Sequence, residues 1–109
     1  MLIKKTEGPV AAGANYQKYH TKSTFQLIGT AAEKVAMTAD IVFEQPADEW
    51  DEPFVMADYD AAGGTWEPIT YRGEPMVLNN DNHYETIYGA AIIRVNKTTT
   101  DSVAVACKW

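Results

Sequence analysis

Apolar and polar positions alternate along much of this chain, and the period is two. In Ser23-Thr24-Phe25-Gln26-Leu27-Ile28, Phe25 and Leu27 share one face while Thr24 and Gln26 take the other. The longest run extends from Val35 to Glu44. Val35, Met37, Ala39, Ile41 and Phe43 are apolar, and Thr38, Asp40 and Glu44 lie between them. This is the pattern of a half-buried antiparallel strand. A helix would scatter these apolar residues around its axis. Gly29-Thr30-Ala31-Ala32 is read as the connection between the two strands.

The segment from Gln45 to Gly64 breaks the alternation with Pro46, Pro53 and Gly63-Gly64. It predicts a long irregular loop, with a short strand at Phe54-Val55-Met56. Thr65 to Thr70 reads as a strand again. Pro68 lacks a ladder donor, which places that strand on an edge or at a bulge. Arg72-Gly73-Glu74-Pro75 predicts a turn, Met76-Val77-Leu78 a short strand, and Asn79 to Asn82 a self-capping turn. Tyr84 to Tyr88 and Ala90 to Val95 follow as strands. A last hairpin is expected through Asn96 to Asp101 into Ser102 to Trp109, with Val103, Val105, Cys107 and Trp109 on one face.

Residues 1–21 keep no such period and read as an extended arm, with Tyr16 and Tyr19 as its large aromatic anchors. Seven to eight short strands, no helix of ten or more residues and regular turn signals predict an all-β protein. The expected architecture is an antiparallel β-sandwich, jelly-roll or Ig-like, over 22–109. A chain of 109 residues is one domain by size and can bury a core without metal or disulfide.

Charge sharpens this picture because it is unevenly spread. Residues 1–34 hold five lysines against Glu7 and Glu33, a balance of +3. Residues 35–71 hold nine acids and no Lys or Arg, a balance of −9. Residues 72–109 balance to zero. The acidic middle argues against nucleic acid, since phosphate contacts need clustered Lys and Arg. No apolar run approaches a membrane span, and the N-terminus lacks a signal-peptide core. The single cysteine, Cys107, fits synthesis in a reducing cytoplasm.

The residues that could carry chemistry are few. His20 and His83 have no metal-ligand spacing with another His, Cys or Asp. Cys107 sits in an alternating strand and reads as a small packed hydrophobe rather than a nucleophile. Asp58-Tyr59-Asp60 followed by Gly63 lacks the remaining oxygen ligands of a calcium loop. Acids crowded into one loop do not give the spacing of a two-carboxylate glycosidase. No catalytic residue, cofactor or metal is therefore expected. Trp50, Tyr59, Trp66 and Tyr71 could make a sugar-stacking platform, with Trp66 expected in the core. Trp50, flanked by Asp48, Glu49, Asp51 and Glu52, reads as an interface anchor.

From Ser23 to Trp109, about four-fifths of the chain, the order of features resembles the small β-sandwich modules of tailed-phage virions. Phe25-Gln26-Leu27-Ile28-Gly29 opens the module, and the alternating strand Val35 to Glu44 comes next. Gly63-Gly64-Thr65-Trp66-Glu67-Pro68-Ile69 looks like the glycine, threonine-tryptophan, apolar segment of head decoration, head-fibre and tail-associated proteins. Ile92 to Lys97, a threonine-rich turn and Ser102 to Val105 look like their closing hairpin. The resemblance implies a non-enzymatic virion protein made in the host cytoplasm. It also implies an oligomer, often a trimer, that binds major capsid or tail proteins. The partner-binding residues expected are Tyr16 and Tyr19 in the arm, and Trp50, Asp51, Glu52 and Phe54 in the acidic loop.

Overall fold

The computed structural model describes residues 5–7, 22–50, 53–89, 92–97 and 103–108. In chain order the elements are β1 Lys5–Glu7, β2 Lys22–Ile28, α1 Ala31–Val35, β3 Ile41–Pro46, α2 Met56–Ala61 and β4 Trp66–Pro68. They continue with β5 Thr70–Tyr71, β6 Glu74–Pro75, β7 Val77–Leu78, β8 Tyr84–Tyr88, β9 Arg94–Lys97 and β10 Ala104–Lys108. Among the described residues there are thus ten short strands, more than the sequence pattern predicts, and two short helices. Among the described residues no helix is long and apolar enough to cross a membrane.

The strands form antiparallel sheets that do not close on themselves. The first sheet runs β1-β10-β2-β8, with Phe25 opposite Cys107 on one side and Glu85 on the other. The second is built on β3. Strand β9 lies along one side of it, with Phe43 opposite Val95. Along its other side β4 and β7 follow one another, Glu44 facing Pro68 and Val42 facing Val77. Residues 70–75 leave that line as a small β5–β6 hairpin and return to it. The Met76 N–H donates to the Ile69 carbonyl across the gap, and the Ile69 N–H donates to Phe43. The hairpin turn places Arg72 at φ 54° and Gly73 at φ 82°. Positive φ at both central residues matches the right-handed twist of the strands it joins.

Both sheets contribute to one core. Phe25 and Leu27 from β2, Ile87 from β8 and Val105 from β10 meet Ile41 and Phe43 from β3, Leu78 from β7 and Val95 from β9. The alternation in β2 and β3 is what makes this possible, since every second residue reaches the same side.

Four sequence expectations change here. The strand predicted from Val35 to Glu44 begins only at Ile41, because Thr30 and Glu33 form a capping box. The Glu33 N–H donates to Thr30 Oγ1 at 3.1 Å, and the Thr30 N–H donates to Glu33 Oε1 at 2.8 Å. That reciprocal pair starts α1 in a segment of Ala and Lys that favours helix. Val35 closes the helix and is 72% exposed. The short strand expected at 54–56 is instead the approach to α2. Met and Ala favour that helix, Asp58 in its first turn suits the helix dipole, and Gly63 at φ 82° follows its end. Among the described residues β9 and β10 do not pair as the expected closing hairpin, because β9 pairs with β3 while β10 pairs with β1 and β2. The two strands belong to different sheets, and Val95 and Val105 reach the same core from them. Finally, Lys5–Glu7, expected within an unpaired arm, adds a strand to β10. The rest of the arm lies outside the described residues.

Ser23 carries a consequence of this inward alternation. It shares the face of Phe25 and Leu27 and is buried, and its hydroxyl has no hydrogen-bond partner among the described residues. An unsatisfied buried hydroxyl costs free energy that a methyl group does not. Ser23→Ala should therefore raise stability by about 1 kcal/mol. Urea unfolding would read this as a higher midpoint at unchanged slope. A lower midpoint would show the hydroxyl to be bonded after all.

Candidate functional site

The acidic, aromatic segment after β3 folds back over the outer face of the second sheet. The two isoleucines before β9 show how. Neighbouring residues of an extended chain point to opposite sides. Ile93 accordingly joins the main core, while Ile92 joins a second cluster with Phe54 and Tyr59. Trp50, Met56 and Trp66 pack against that cluster. The rings meet mostly edge to face. Trp50 lies 5.4 Å from Phe54 with planes at 78°, and Trp66 lies 5.4 Å from Tyr59 with planes at 80°. Such geometry is the favoured one for aromatic pairs.

Asp48 ties this corner together. Its Oδ2 accepts from the Thr65 N–H at 3.0 Å and from Thr65 Oγ1 at 2.9 Å, and it lies 3.4 Å from the Tyr59 hydroxyl. The Tyr59 hydroxyl donates to the Thr65 carbonyl at 2.5 Å and accepts from the Asp48 N–H at 3.2 Å. Trp66 is fixed as well. Its Nε1 donates to Asp60 Oδ1 at 2.8 Å, and the Arg94 guanidinium stacks 4.5 Å from its ring. Arg94 in turn donates to Glu44 Oε1 from Nε at 2.9 Å and from Nη2 at 2.6 Å. Glu44 and Arg94 are opposite one another on β3 and β9, so the sheet register sets this pair.

The Thr65 backbone N–H, then its hydroxyl, holds the Asp48 carboxyl below its ordinary value of 3.8. A folded pKa below the unfolded one gives stability that is present above about pH 3.8 and lost as pH falls through the lower, folded value. Thermal melts should therefore show Asp48→Asn less stable than the parent at neutral pH. The difference should persist down to about pH 4 and shrink below it. A gap that stays constant into strong acid would show that the Asp48 charge is not what stabilises the corner.

Of the residues expected to contact a partner, Trp50 is half-buried against Phe54, and Phe54 itself is only 5% exposed. Phe54 therefore anchors the corner from inside. Tyr16, Tyr19, Asp51 and Glu52 lie outside the described residues. Of the four aromatics considered as a platform, Trp50, Tyr59 and Trp66 gather around Phe54. Tyr71 stands apart on the β5–β6 hairpin. Glu49, Trp50, Pro53, Phe54, Val55, Asp58, Tyr59 and Ala62 line a pocket of about 220 Å³. His83 serves its own turn, with Nε2 3.1 Å from the Asn80 carbonyl oxygen. Among the described residues no three His, Cys, Asp or Glu side chains gather as a metal site requires.

A second surface went unnoticed in the sequence. The two sheets leave a seam between β8 and the β5–β6 hairpin. It is a mostly apolar groove of about 430 Å³ lined by Ile69, Thr70, Tyr71, Met76, Glu85, Thr86 and Tyr88. Tyr71 is 54% exposed and Tyr88 71% exposed. Each carries a cation over its ring, Arg72 at 5.1 Å from Tyr71 and Lys22 at 5.8 Å from Tyr88. The only sequence signal was the pairing of Tyr71 with Arg72 at a turn.

Compared with protein-family models, with curated proteins and with solved structures, the chain matches none.

Proposed function

We propose that this chain is a non-enzymatic structural component of a bacteriophage virion, a capsid decoration or head–tail accessory protein. It acts by binding other proteins of the particle and by oligomerising, with a trimer favoured. The fold proposed with this function is the antiparallel sandwich, its two sheets facing each other across the Phe25–Phe43 core.

The observation that carries the reading is the braced acidic corner. Asp48, Tyr59, Thr65 and Trp66 hold one another, and exposed Glu49 and Asp58 stand on that frame. A surface fixed before binding loses little freedom on contact, which favours recognition by a protein partner. The resemblance to virion modules supplies the phage context. Of the features that carry that resemblance, Phe25 to Ile28 lie in β2, the strand from Val35 begins only at Ile41, and β9 and β10 do not form its closing hairpin. Purified protein mixed with capsids and tails of the source phage should cosediment with one of them. Glu49→Gln/Asp58→Asn should weaken that binding about tenfold, the factor that roughly 1.4 kcal/mol of lost contact energy produces. Protein that sediments with neither particle sinks the reading.

One observation favours a second reading. The pocket beside Trp50 offers aromatic walls and the carboxylates of Glu49 and Asp58, and about 220 Å³ suits one sugar unit better than a drug-sized ligand. A glycan array bound by the parent and lost on Trp50→Ala would favour it. A silent array removes it.

A further inference from the structure

We infer that the seam groove between β8 and the β5–β6 hairpin is an interface for a second copy of this chain, and that it receives the acidic corner of that copy. The inference rests on the oligomeric part of the reading above and says which two surfaces meet.

The groove has the composition of a binding hot spot. Its floor is Ile69 and Met76, which belong to or pack against the main core. The open sheets leave that side of the core uncovered. Its rim is two exposed tyrosines, each paired with a cation. Tyr and Arg are the residue types that carry most binding energy at protein interfaces, and an apolar floor within a polar rim is the usual anatomy. Arg72 is held at φ 54°, in the left-handed region that a non-glycine residue enters only when its surroundings require it. The turn thereby sets the direction in which the Arg72 side chain leaves the backbone, toward the Tyr71 ring.

Charge and shape select the occupant. The one acid in the groove wall, Glu85, accepts from the Asn82 side-chain amide at 3.0 Å, while Lys22 and Arg72 stand over the rim tyrosines and call for carboxylates; the apolar floor calls for an apolar contact between them. The acidic corner has both. Val55 is 46% exposed, and Glu49 and Asp58 line the same pocket wall as Val55. Glu49, Asp58 and Asp60 all stand exposed around it, which makes this corner acidic. The corner lies over the outer face of the β3 sheet, and the groove lies at its β4–β7 edge. The two surfaces are different patches, so the contact is head to tail. Such contacts close into rings when the rotation permits and otherwise continue as filaments.

The test uses sedimentation velocity on the full chain at micromolar concentration and low salt. A groove variant, Lys22→Ser/Arg72→Ser/Tyr88→Ser, and a corner variant, Glu49→Gln/Val55→Ser/Asp58→Asn, change only exposed side chains. Circular dichroism and melting confirm that both fold. The parent should associate, and more weakly as salt rises. Each variant alone should be monomeric. Their equimolar mixture should stop at a 1:1 dimer, because the groove variant keeps its corner and the corner variant keeps its groove. A monomeric parent, variants that still assemble, or a mixture that stays monomeric or grows past a dimer would each overturn the inference. A monomer that still binds virion particles overturns this inference alone. An oligomer built as described that ignores the particles overturns only the virion reading.

Discussion

Phe43→Ala is expected to cost about 3–5 kcal/mol and to lower the urea midpoint more than any other single change considered for this domain. Phe43 has no exposed surface, and its ring lies 4.6 Å from that of Phe25 at 42°. The pair spans the two sheets, because Phe25 belongs to β2 and Phe43 to β3. Truncating one ring removes apolar area and leaves a cavity that both sheets line. Strands cannot easily collapse into it while their ladders hold register. A folded domain of this size has a total stability of about 5–15 kcal/mol, so one such loss is a large share of it. Phe43→Leu keeps most of the apolar volume and should recover most of the loss. Equilibrium urea unfolding measures both variants. A cost under about 1 kcal/mol for the alanine would mean that the two sheets do not share a core at this point.

The second large effect is expected at Gly64. A Cβ there would lie under 3.0 Å from Cζ, Cε1 and Cε2 of Tyr59. The ring has nowhere to move. Phe54 and Trp66 hold its sides at 5.5 and 5.4 Å, and its hydroxyl is bonded to the Thr65 carbonyl. Gly64→Ala should therefore cost about 1–3 kcal/mol and alter the near-ultraviolet signal of the aromatic corner. Gly63→Ala is the control. Gly63 sits at φ 82°, and a Cβ there would meet no atom of the described residues within 4 Å beyond its chain neighbours, so its cost is backbone strain of about 1–2 kcal/mol with the aromatic signal unchanged. In a Tyr59→Ala background the cost of Gly64→Ala should vanish, because the clash has lost its partner. A cost that persists there would place the defect in the backbone rather than in the ring.

The parts of the fold that follow from a period of two were legible from the chain. Phe25 with Leu27, and Ile41 with Phe43, fall on inward faces as the pattern requires. The same pattern misled between Val35 and Ala39. Alternation there is compatible with a strand, but the Thr30–Glu33 capping box acts locally and starts a helix first. That signal, Thr-x-x-Glu, was present in the sequence. The split of β9 and β10 between sheets was not legible. Alternation assigns each strand an inner face but does not say which neighbour it pairs with.

The candidate site was half visible. An acidic loop with a lone Trp50 stood out, and Trp50 packs against the Phe54–Tyr59–Ile92 cluster. What held the loop could not be read from position alone. Asp48 and Thr65 lie far apart in the chain and meet only because β3 and β4 pair. The tyrosine groove stayed hidden for the same reason, since Tyr71 and Tyr88 become neighbours only across the seam.

The place of β10 has a consequence for how the molecule assembles in time. It is an interior strand of its sheet, yet its partners are β2 and β1, with Cys107 opposite Lys5. The sheet is completed by joining residues from nearly opposite ends of the described chain. Contacts of such long separation form late, because chain entropy must be lost before they give anything back. Until β10 docks, β1 and β2 present bare edges to each other and to any neighbouring copy. Folding is thus a race between a slow step within one chain and strand exchange between two, and dilution favours the first.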